Sequence, residues 1–391
     1  MHILFVAGDL SGDAHAAMLA REIAKRHGDW KLFAVGGAQL QACGATMIGD
    51  TQGCGVMGIG PALALVPRLA ILQKRITKFV RTTRVDAVVL CDWGGFNARL
   101  LPHLKKLGVP VLYYFPPRSW RRDGRGAAAI APLVNRVATP FEWSANFLKA
   151  ANCNAEWVGH PLLETVEAIR SKHSREDLRR EWNVQGDEKM IALLPGSRAL
   201  ELKYIAPHLA AAAKILKSTP QFRGKFVVAV PQGAGAKIQP YFDENFHVVE
   251  NRATEVLIAC DAAAVKSGTA TLEAAVANAP QVVVYDGPAI LKMQWKLMGG
   301  STKIPLVAMP NILLNRMSAL ELLGENCKPQ SIAAELQKLL FDQSRRAALQ
   351  SDYSEVRRAL GSELSTGATQ RTAQILEEMI AECRGKACLA R

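Results

Sequence analysis

The sequence is poor in aromatic residues and lacks paired cysteines. Phenylalanine, tryptophan and tyrosine together make up 6% of the 391 residues, which argues against a protein that binds single-stranded nucleic acid by stacking bases on aromatic rings. The eight cysteines are scattered and form no CxxC pair, and several lie inside apolar runs. We therefore interpret them as reduced core residues, not as disulfides or zinc ligands.

Two further absences concern membranes and secretion. No apolar run is long enough to cross a bilayer. The N-terminus leads directly into an apolar run, 2–7, without a signal peptide, which predicts a cytoplasmic location. Acidic residues are also fewer than basic ones. The chain has 35 Asp and Glu and 48 Lys and Arg, which gives a formal net charge of +13. This excess indicates an anionic partner, such as a nucleotide, a nucleic acid or an acidic membrane surface.

Apolar runs that predict strands alternate with helical patterns along most of the chain. The runs are continuous, without polar alternation, as expected for parallel strands covered on both faces. The predicted strands are 2–7, 31–35, 86–91, 109–115, 136–139, 155–158, 190–194, 225–230, 246–249, 261–265, 281–285 and 304–308. Segment 318–386 shows a helical pattern with no strand. The sequence therefore predicts an α/β fold with two doubly wound parallel sheets.

A change of character near residues 160–165 predicts a boundary between two Rossmann-like domains. We expect an N-terminal domain over 1–162 and a second domain over 163–360. Residues 361–391 are expected to form a C-terminal helix that packs back on the first domain. This organisation fits a GT-B glycosyltransferase, a periplasmic-type binding protein or a two-domain dehydrogenase, in each of which the carboxyl ends of both sheets would face a central cleft.

The second domain contains two turns suited to an anion. Val265–Tyr285 predicts a strand, a turn at Ser267, Gly268 and Thr269, a helix and a second strand. Backbone N–H groups, hydroxyls and a helix N-terminus would converge at that turn and favour a phosphate or diphosphate. Thr271 adds a further donor, and Glu273 could accept a hydrogen bond from a ribose diol.

The other turn, Pro195–Arg198, ends the first strand of the second domain. Ser197 lies in the turn, and the planar guanidinium of Arg198 suits phosphate oxygens. Glu201, one helical turn later, could bind the ligand or only support the turn. Asn311, after the predicted strand 304–308, could likewise bond a ligand or fix its own turn.

The first domain offers polar residues after its first strand. The loop that contains Ser11, Gly12, Asp13 and His15 predicts a ligand-contacting turn, although Ser11 or Asp13 could simply cap the helix that follows. The loop is not a GxGxxG fingerprint, and no acidic residue ends the second strand. Both features argue against a dinucleotide-binding dehydrogenase.

Three other features of the first domain each have two interpretations. Asp92 follows a predicted strand and could accept a proton from a hydroxyl, or it could cap the next helix. Segment 113–122 combines aromatics, prolines and arginines, and is either a lip for an anionic or lipidic substrate or a solvated basic loop. Segment 60–84 is first apolar and then basic, and either lies on a membrane surface or covers the sheet as an amphipathic crossover helix.

Taken together and in order, these motifs resemble the lipid-A-disaccharide synthase family of GT-B glycosyltransferases. The matching pieces run through most of the chain. They are Ala7–Asp13, Val56-Met57-Gly58, Asp92 with Phe96-Asn97, Pro140-Phe141-Glu142, Val158–Leu162, Leu194–Arg198 with Glu201, Ser267–Glu273, and Pro310–Leu313.

The resemblance implies a UDP-sugar donor bound by the second domain. Ser267, Gly268, Thr269, Ala270 and Thr271 would hold the diphosphate. Arg198 would share that task with support from Ser197 and Glu201, Glu273 would take the ribose, and Asn311 would assist the donor. The implied reaction joins UDP-2,3-diacylglucosamine to 2,3-diacylglucosamine-1-phosphate, an anionic glycolipid, through a β(1→6) bond and releases UDP. It inverts the donor's configuration.

On the acceptor side, the resemblance makes Asp92 the candidate base and Asp13 the second candidate. Ser11, Gly12, His15, Asn97 and Trp120 would line the acceptor. No metal and no cofactor are expected, because Arg198 and a helix N-terminus can carry the charge of the leaving group. The family acts at the inner face of the cytoplasmic membrane, so peripheral contact through 60–84 is expected. No nucleic-acid partner is expected, and a second copy of the chain is a candidate partner.

The chain departs from the family pattern at several positions. Gly95 stands where the family usually has a second aspartate, Asp286 where it has arginine, and Lys266 where it has a small residue. The aromatic and proline pattern of 113–120 is also altered. A UDP-sugar enzyme with another acceptor, an epimerase and a silent sugar-nucleotide-binding paralogue therefore remain alternatives.

Overall fold

The computed structural model describes residues 1–51, 54, 59–117, 119, 121–288 and 306–389. The chain divides into two compact units. The first unit comprises Met1–Pro161 together with Ala359–Arg391, and the second unit comprises Leu162–Arg358. Both are α/β units built on parallel sheets, as the alternation of apolar runs and helical patterns predicts.

The first unit contains a seven-stranded sheet in the order β3-β2-β1-β4-β5-β6-β7, with all neighbours parallel. Its elements are β1 (His2–Ala7), α1 (Leu10–Arg26), β2 (Lys31–Gly36), α2 (Ala38–Ala42), β3 (Thr46–Asp50), α3 (Ile59–Thr82), β4 (Ala87–Cys91), α4 (Gly94–Lys106), β5 (Val111–Tyr114), α5 (Ala127–Ile130), β6 (Arg136–Thr139), α6 (Glu142–Ala150) and β7 (Ala155–Trp157).

The second unit contains a six-stranded parallel sheet in the order β10-β9-β8-β11-β12-β13. Its elements are α7 (Leu162–Arg170), α8 (Arg175–Glu181), β8 (Lys189–Leu194), α9 (Ala199–Lys217), β9 (Gly224–Val230), α10 (Gly235–Ile238), β10 (Phe246–Glu250), α11 (Ala253–Ala259), β11 (Ala262–Lys266), α12 (Thr269–Val276), β12 (Gln281–Tyr285), α13 (Met309–Leu314), β13 (Glu321–Leu323), α14 (Pro329–Phe341) and α15 (Gln343–Ala359). The last helix, α16 (Ala368–Leu389), belongs to the first unit.

The first sheet is buried on both faces, which explains its continuous apolar strands. Along β1, Ile3 and Phe5 point into a core shared with α1 and α16. The intervening residues Leu4 and Val6 point into the opposite core with α3 and α4, because successive side chains of a strand alternate between the two faces. Helix α16 is further tied to α1 by the ion pair between Arg26 and Glu377, at 2.8 Å.

Two details of the predicted strand pattern are wrong. Segment 318–386 contains a strand, β13, which pairs in parallel with β12 but has only three residues, too few for a recognisable apolar run. Conversely, the described part of segment 304–308 is not a strand. The N–H groups of Val307 and Ala308 donate to the carboxylate of Glu321, so these amides pair with a side chain and not with a neighbouring strand.

Helix α3 covers one face of the first sheet, as one interpretation of segment 60–84 predicts. Leu72, Ile76 and Val80 lie in the core beneath it. Its outer side retains apolar groups, since Val66 is 43% and Ile71 is 67% exposed. Within the described ranges, no helix is long and apolar enough to span a bilayer.

A buried ionic cluster fastens α8 to the sheet of the second unit. The carboxylate of Asp261 accepts hydrogen bonds from Arg175 at 2.8 Å, from Arg179 at 3.0 Å and from the N–H of Met190 at 2.8 Å. Burial raises the pKa of Asp261, but these bonds and the two guanidinium charges outweigh burial, so the pKa lies below its usual range. The charged carboxylate is therefore the stable form in the folded state.

Replacing Asp261 by alanine should reduce the free energy of unfolding by about 3–5 kcal/mol, because it leaves buried Arg179 without its counter-charge. The pKa is depressed in the folded state. The stabilisation that the Asp261 carboxylate gives to the folded state should therefore be complete at neutral pH. It should be lost as the pH falls through the pKa of Asp261 in the folded protein. Urea denaturation at several pH values measures both effects.

Asp243→Ala is the matched control for this experiment. Asp243 forms an ion pair with Lys214 that is exposed to solvent, and such a pair should contribute less than about 1 kcal/mol. Equal losses for the two variants would contradict the structural role that we assign to Asp261.

Candidate active site

The two predicted anion-binding turns lie side by side in the second unit. They follow β8 and β11, which are neighbouring parallel strands, so the helices that follow, α9 and α12, begin at the same edge of the sheet. Gly268 is the N-cap of α12 and has φ +146°, a backbone conformation that favours glycine. The first turn of each helix presents N–H groups that lack intrahelical partners, which suits an anion.

Glu201 holds the turn between β8 and α9 together. The residue is 5% exposed. One oxygen accepts from the N–H groups of Ser197 at 3.0 Å and Arg198 at 3.2 Å, and the other lies 2.8 Å from the Arg198 guanidinium and 2.7 Å from Lys266 Nζ. Of the two interpretations of Glu201, the structure therefore supports the one in which it stabilises the turn.

The electrostatics of Glu201 follow from these contacts. Burial raises its pKa, but the charge of Lys266 and the hydrogen bonds from Lys266 and the two backbone amides outweigh burial and hold the pKa below its usual range. The carboxylate is therefore charged, and it fixes two cations beside the turn between β8 and α9. Gly196 is required here, because it has φ +116° and a Cβ would lie 2.7 Å from Glu201 Oε2.

The hydroxyls of the 267–271 turn are not equally available. Thr271 is fully buried, donates to the carbonyl of Gly268 at 2.7 Å and accepts from the N–H of Met309 at 3.1 Å. It therefore joins the turn to α13 and has no hydrogen to offer a phosphate, contrary to the sequence-based expectation. Thr269 is exposed. Within the described residues, the one hydrogen bond of the Ser267 hydroxyl is a long 3.3 Å contact with the carbonyl of Val307.

Glu273 and Asn311 are held by protein groups. The Glu273 carboxylate accepts a hydrogen bond from the Thr254 hydroxyl, and burial raises its pKa. Asn311 is fully buried. Its amide donates to the carbonyl of Ala319 at 2.7 Å and to Glu321 at 2.8 Å, and its oxygen accepts from the N–H groups of Ser318 and Ala319. Asn311 thus fixes its own turn, and none of its hydrogen-bonding groups is left to bind a UDP-sugar.

In the first unit, Asp92 lies directly after β4 in an unusual backbone conformation. Asp92 has φ +52° and Trp93 has φ +49°, which is uncommon for residues other than glycine. The carbonyl of Asp92 accepts from Asn97 Nδ2 at 2.8 Å and from the Tyr113 hydroxyl at 3.0 Å. Two buried side chains therefore hold this backbone in place. The N-cap of α4 is Trp93, without a side-chain capping bond, so Asp92 does not cap the helix.

The Asp92 carboxyl has a raised pKa. Burial is the larger cause and the negative charge of Asp9 the second, and together they raise the pKa of Asp92 to about 7. The two acids flank Gly12, since a Cβ on Gly12 would lie 3.3 Å from both Asp9 Oδ1 and Asp92 Cβ. A carboxyl with a pKa near neutrality suits a general base.

Asp9, which was not among the predicted site residues, is the N-cap of α1. Its Oδ1 accepts from the N–H of Gly12 at 2.9 Å and from the Ser11 hydroxyl at 3.1 Å. The alternative interpretation, in which Ser11 or Asp13 caps this helix, is therefore wrong. An aspartate just after a predicted strand and before a predicted helix is a capping signal, and Asp9 could have been recognised from it in the sequence.

Asp13 has a structural role. It is 3% exposed, and it accepts from the N–H groups of Gly37 at 2.7 Å, Gln39 at 2.8 Å and Leu40 at 3.4 Å. These bonds hold the end of β2 and the start of α2. Since its oxygens are occupied by backbone donors, Asp13 is poorly placed for the predicted role of second base.

His15 is held in an aromatic cluster. Its ring stacks on Phe115, with ring centroids 4.4 Å apart, and meets His160 edge-on at 5.3 Å. Burial lowers its pKa to about 4 against the opposing charge of Asp9, so the imidazole is neutral. Among the described residues, its buried Nδ1 has no hydrogen-bond partner.

Trp120, Arg118 and the motif at 56–58 lie outside the described residues, and Gly95 is exposed.

Comparison with known proteins places this arrangement in a family. A family model described as lipid-A-disaccharide synthetase matches residues 3–376. The lipid-A-disaccharide synthase of Anaeromyxobacter dehalogenans (strain 2CP-C) is 35% identical over 386 residues, which span 95% of this chain and 96% of that protein.

Two solved structures share the fold. A UDP-GlcNAc 2-epimerase from Neisseria meningitidis, bound to UDP-GlcNAc, has a TM-score of 0.64 at 13% identity and covers 98% of this chain and 100% of its own. The glycosyltransferase SnogD from Streptomyces nogalater has a TM-score of 0.56 at 16% identity, with 97% and 99% covered. The fold is thus of the GT-B type. Because the family model spans nearly the whole chain, this protein belongs to the lipid-A-disaccharide synthase family of glycosyltransferases.

Proposed function

We propose that the protein transfers 2,3-diacylglucosamine from its UDP derivative to 2,3-diacylglucosamine-1-phosphate, forming a β(1→6) bond and releasing UDP. The observation that carries this proposal, beyond family membership over residues 3–376, is the Asp92 carboxyl. It follows a sheet strand, its backbone is fixed by Asn97 and Tyr113, and its pKa is about 7. This is the protonation behaviour that a base for a sugar hydroxyl requires.

In this proposal the second unit binds the donor. The N–H groups of Gly268, Thr269 and Ala270 and the Ser267 and Thr269 hydroxyls hold the diphosphate, with Arg198 as its charged partner. The N–H groups of Ser267 and Thr271 donate to backbone carbonyls of the protein. As the bond between the anomeric carbon and the diphosphate oxygen breaks, negative charge grows on the departing UDP. Preorganised N–H groups and a guanidinium stabilise that charge without reorganisation.

The first unit supplies the base. Asp92 accepts the proton of the acceptor hydroxyl while the hydroxyl oxygen attacks the anomeric carbon from the side opposite the diphosphate, which inverts the configuration. Ser11, Gly12, neutral His15 and Trp120 are proposed to contact the acceptor. Asn97 contributes indirectly, since it binds the Asp92 carbonyl and so fixes the position of the carboxyl group.

We also propose that α3 brings the protein to the inner face of the cytoplasmic membrane. Ile71, Lys74, Arg75 and Lys78 are all exposed and lie on one face of the helix by their spacing of three and four residues. An exposed isoleucine among cations suits the surface of an anionic bilayer, where the apolar group enters the interface and the cations attract lipid headgroups.

Asp92→Asn should reduce turnover of UDP-2,3-diacylglucosamine with the phosphorylated acceptor by about 10²- to 10⁴-fold, while UDP affinity measured by calorimetry stays unchanged. The amide cannot accept the proton but keeps the shape of the side chain. Asp29→Asn, an exposed aspartate of the same unit, is the control and should retain full turnover. Full turnover by Asp92→Asn, or conversion of UDP-N-acetylglucosamine without any acceptor, would contradict the proposal.

The pH dependence of turnover should follow Asp92. Its pKa of about 7 predicts that kcat/KM rises as the pH increases through 7, because the base must be deprotonated. Asp9→Asn removes the neighbouring negative charge, so the pKa of Asp92 should fall and the acid limb of the profile should move to lower pH. Asparagine also caps helices well, so the fold should be retained. An acid limb that does not move in this variant would exclude Asp9 as the tuning charge.

Membrane binding should weaken when the outer face of α3 is changed. Lys74→Glu combined with Arg75→Glu reverses two charges near the surface, each worth about 1 kcal/mol on an anionic bilayer. Co-sedimentation with phosphatidylglycerol vesicles should therefore fall strongly, with little binding to phosphatidylcholine in either case. Lys214→Glu with Lys217→Glu, exposed lysines of α9, is the control pair. Equal losses from both pairs would show that net charge, and not α3, directs binding.

A further inference from the structure

We propose that Lys266 is an additional ligand of the donor's diphosphate, so that the site grips the two phosphates with two side-chain cations, Lys266 and Arg198. The inference rests on the proposed function, because it assigns a further binding residue to the same donor site.

The ammonium group of Lys266 is fixed beside the turn. Lys266 is the last residue of β11, its side chain is 14% exposed, and its Nζ lies 2.7 Å from Glu201 Oε1. The Arg198 guanidinium approaches the same oxygen at 2.8 Å. One carboxylate oxygen therefore holds two cations as close neighbours, each ordered before any ligand arrives. Such preorganisation reduces the entropy lost on binding.

The space over the N-terminus of α12 is bordered by that ammonium group. At Gly268, the point that a Cβ would occupy lies 3.5 Å from Lys266 Nζ, and no other heavy atom among the described residues, apart from the chain neighbours of Gly268, lies within 4 Å of it. A group that accepts hydrogen bonds from the first N–H groups of α12 would thus approach Lys266 as well. The ammonium has three donor hydrogens, so bonding to Glu201 does not exhaust it.

The local charge also favours a diphosphate. Glu201 balances one of the two cations, and its second oxygen is occupied by the N–H groups of Ser197 and Arg198. Within this group of three side chains, two cations and one carboxylate leave one positive charge, next to the partial positive charge at the N-terminus of α12. A ligand with more than one negative charge matches this site better than a singly charged one. The contact of Lys266 with the Tyr285 ring, at 5.8 Å from Nζ to the centroid, further confines the ammonium.

The experiment measures binding of UDP and UMP by calorimetry to the full-length wild type and to Lys266→Met. Methionine keeps the length of the side chain but removes its charge. UDP affinity should fall roughly ten- to hundredfold, the range expected for losing hydrogen bonds to a charged group. UMP affinity should fall much less, and raising the salt concentration should weaken UDP binding less in the variant than in the wild type. Lys266→Arg, which restores a cation, should recover most of the UDP affinity.

Lys203→Met is the matched control, because Lys203 is an exposed lysine of α9, and it should bind UDP as the wild type does. If Lys266→Met lowers the melting temperature, the double variant Glu201→Gln/Lys266→Met removes both charges of the pair and should show the same selective loss. Unchanged UDP affinity, or equal losses for UDP and UMP, would overturn the role of Lys266 and leave the proposed function intact. A wild type that does not bind UDP would overturn both.

Discussion

Parallel strand pairing determines where the polar turns of both units lie. In both units every sheet neighbour is parallel, so the carboxyl ends of the strands meet at one edge and the turns that follow them become neighbours. This is why residues as distant in sequence as Arg198 and Lys266 reach the same carboxylate oxygen, and why Asp9 after β1 and Asp92 after β4 both flank Gly12. The polar groups at each sheet edge therefore come from turns that are far apart in the sequence.

Buried polar groups hold these turns in shape. Asp13, Glu201 and Asn311 each accept two or more backbone N–H groups of a loop, and each is nearly or fully buried. A buried carboxylate is stable only when it is paired and hydrogen-bonded. Because the oxygens of these side chains already bind loop N–H groups, they are not available to contact a ligand. Thr269 is exposed in one of these turns, and we propose that it and Lys266 contact the substrate.

The two sheet edges shift the pKa of a carboxyl group in opposite directions. Beside the turn between β8 and α9, Glu201 contacts the cations of Arg198 and Lys266 and its pKa is depressed, so two positive charges are held at this edge. After β4, Asp92 is partly buried and faces the charge of Asp9, and its pKa is raised to about 7. The first environment suits the neutralisation of an anionic leaving group and the second suits the transfer of a proton. These are the two requirements of a displacement at a sugar carbon.

The fold class, most of the strands and the family can be predicted from the sequence alone. Apolar strand runs are local signals, and the order of the motifs from Ala7–Asp13 to Pro310–Leu313 survives divergence of individual residues such as Gly95. The folded structure was needed to show which polar motif residues support loops, as Asp13, Thr271 and Asn311 do. It was also needed to show that Asp9 is the charge beside Asp92. The short strand β13 likewise appears only through its pairing with β12. The physical reason is that a hydrogen bond or a pKa depends on the neighbour in space. Asp13 and Gly37, or Glu201 and Lys266, become neighbours only when the sheets form.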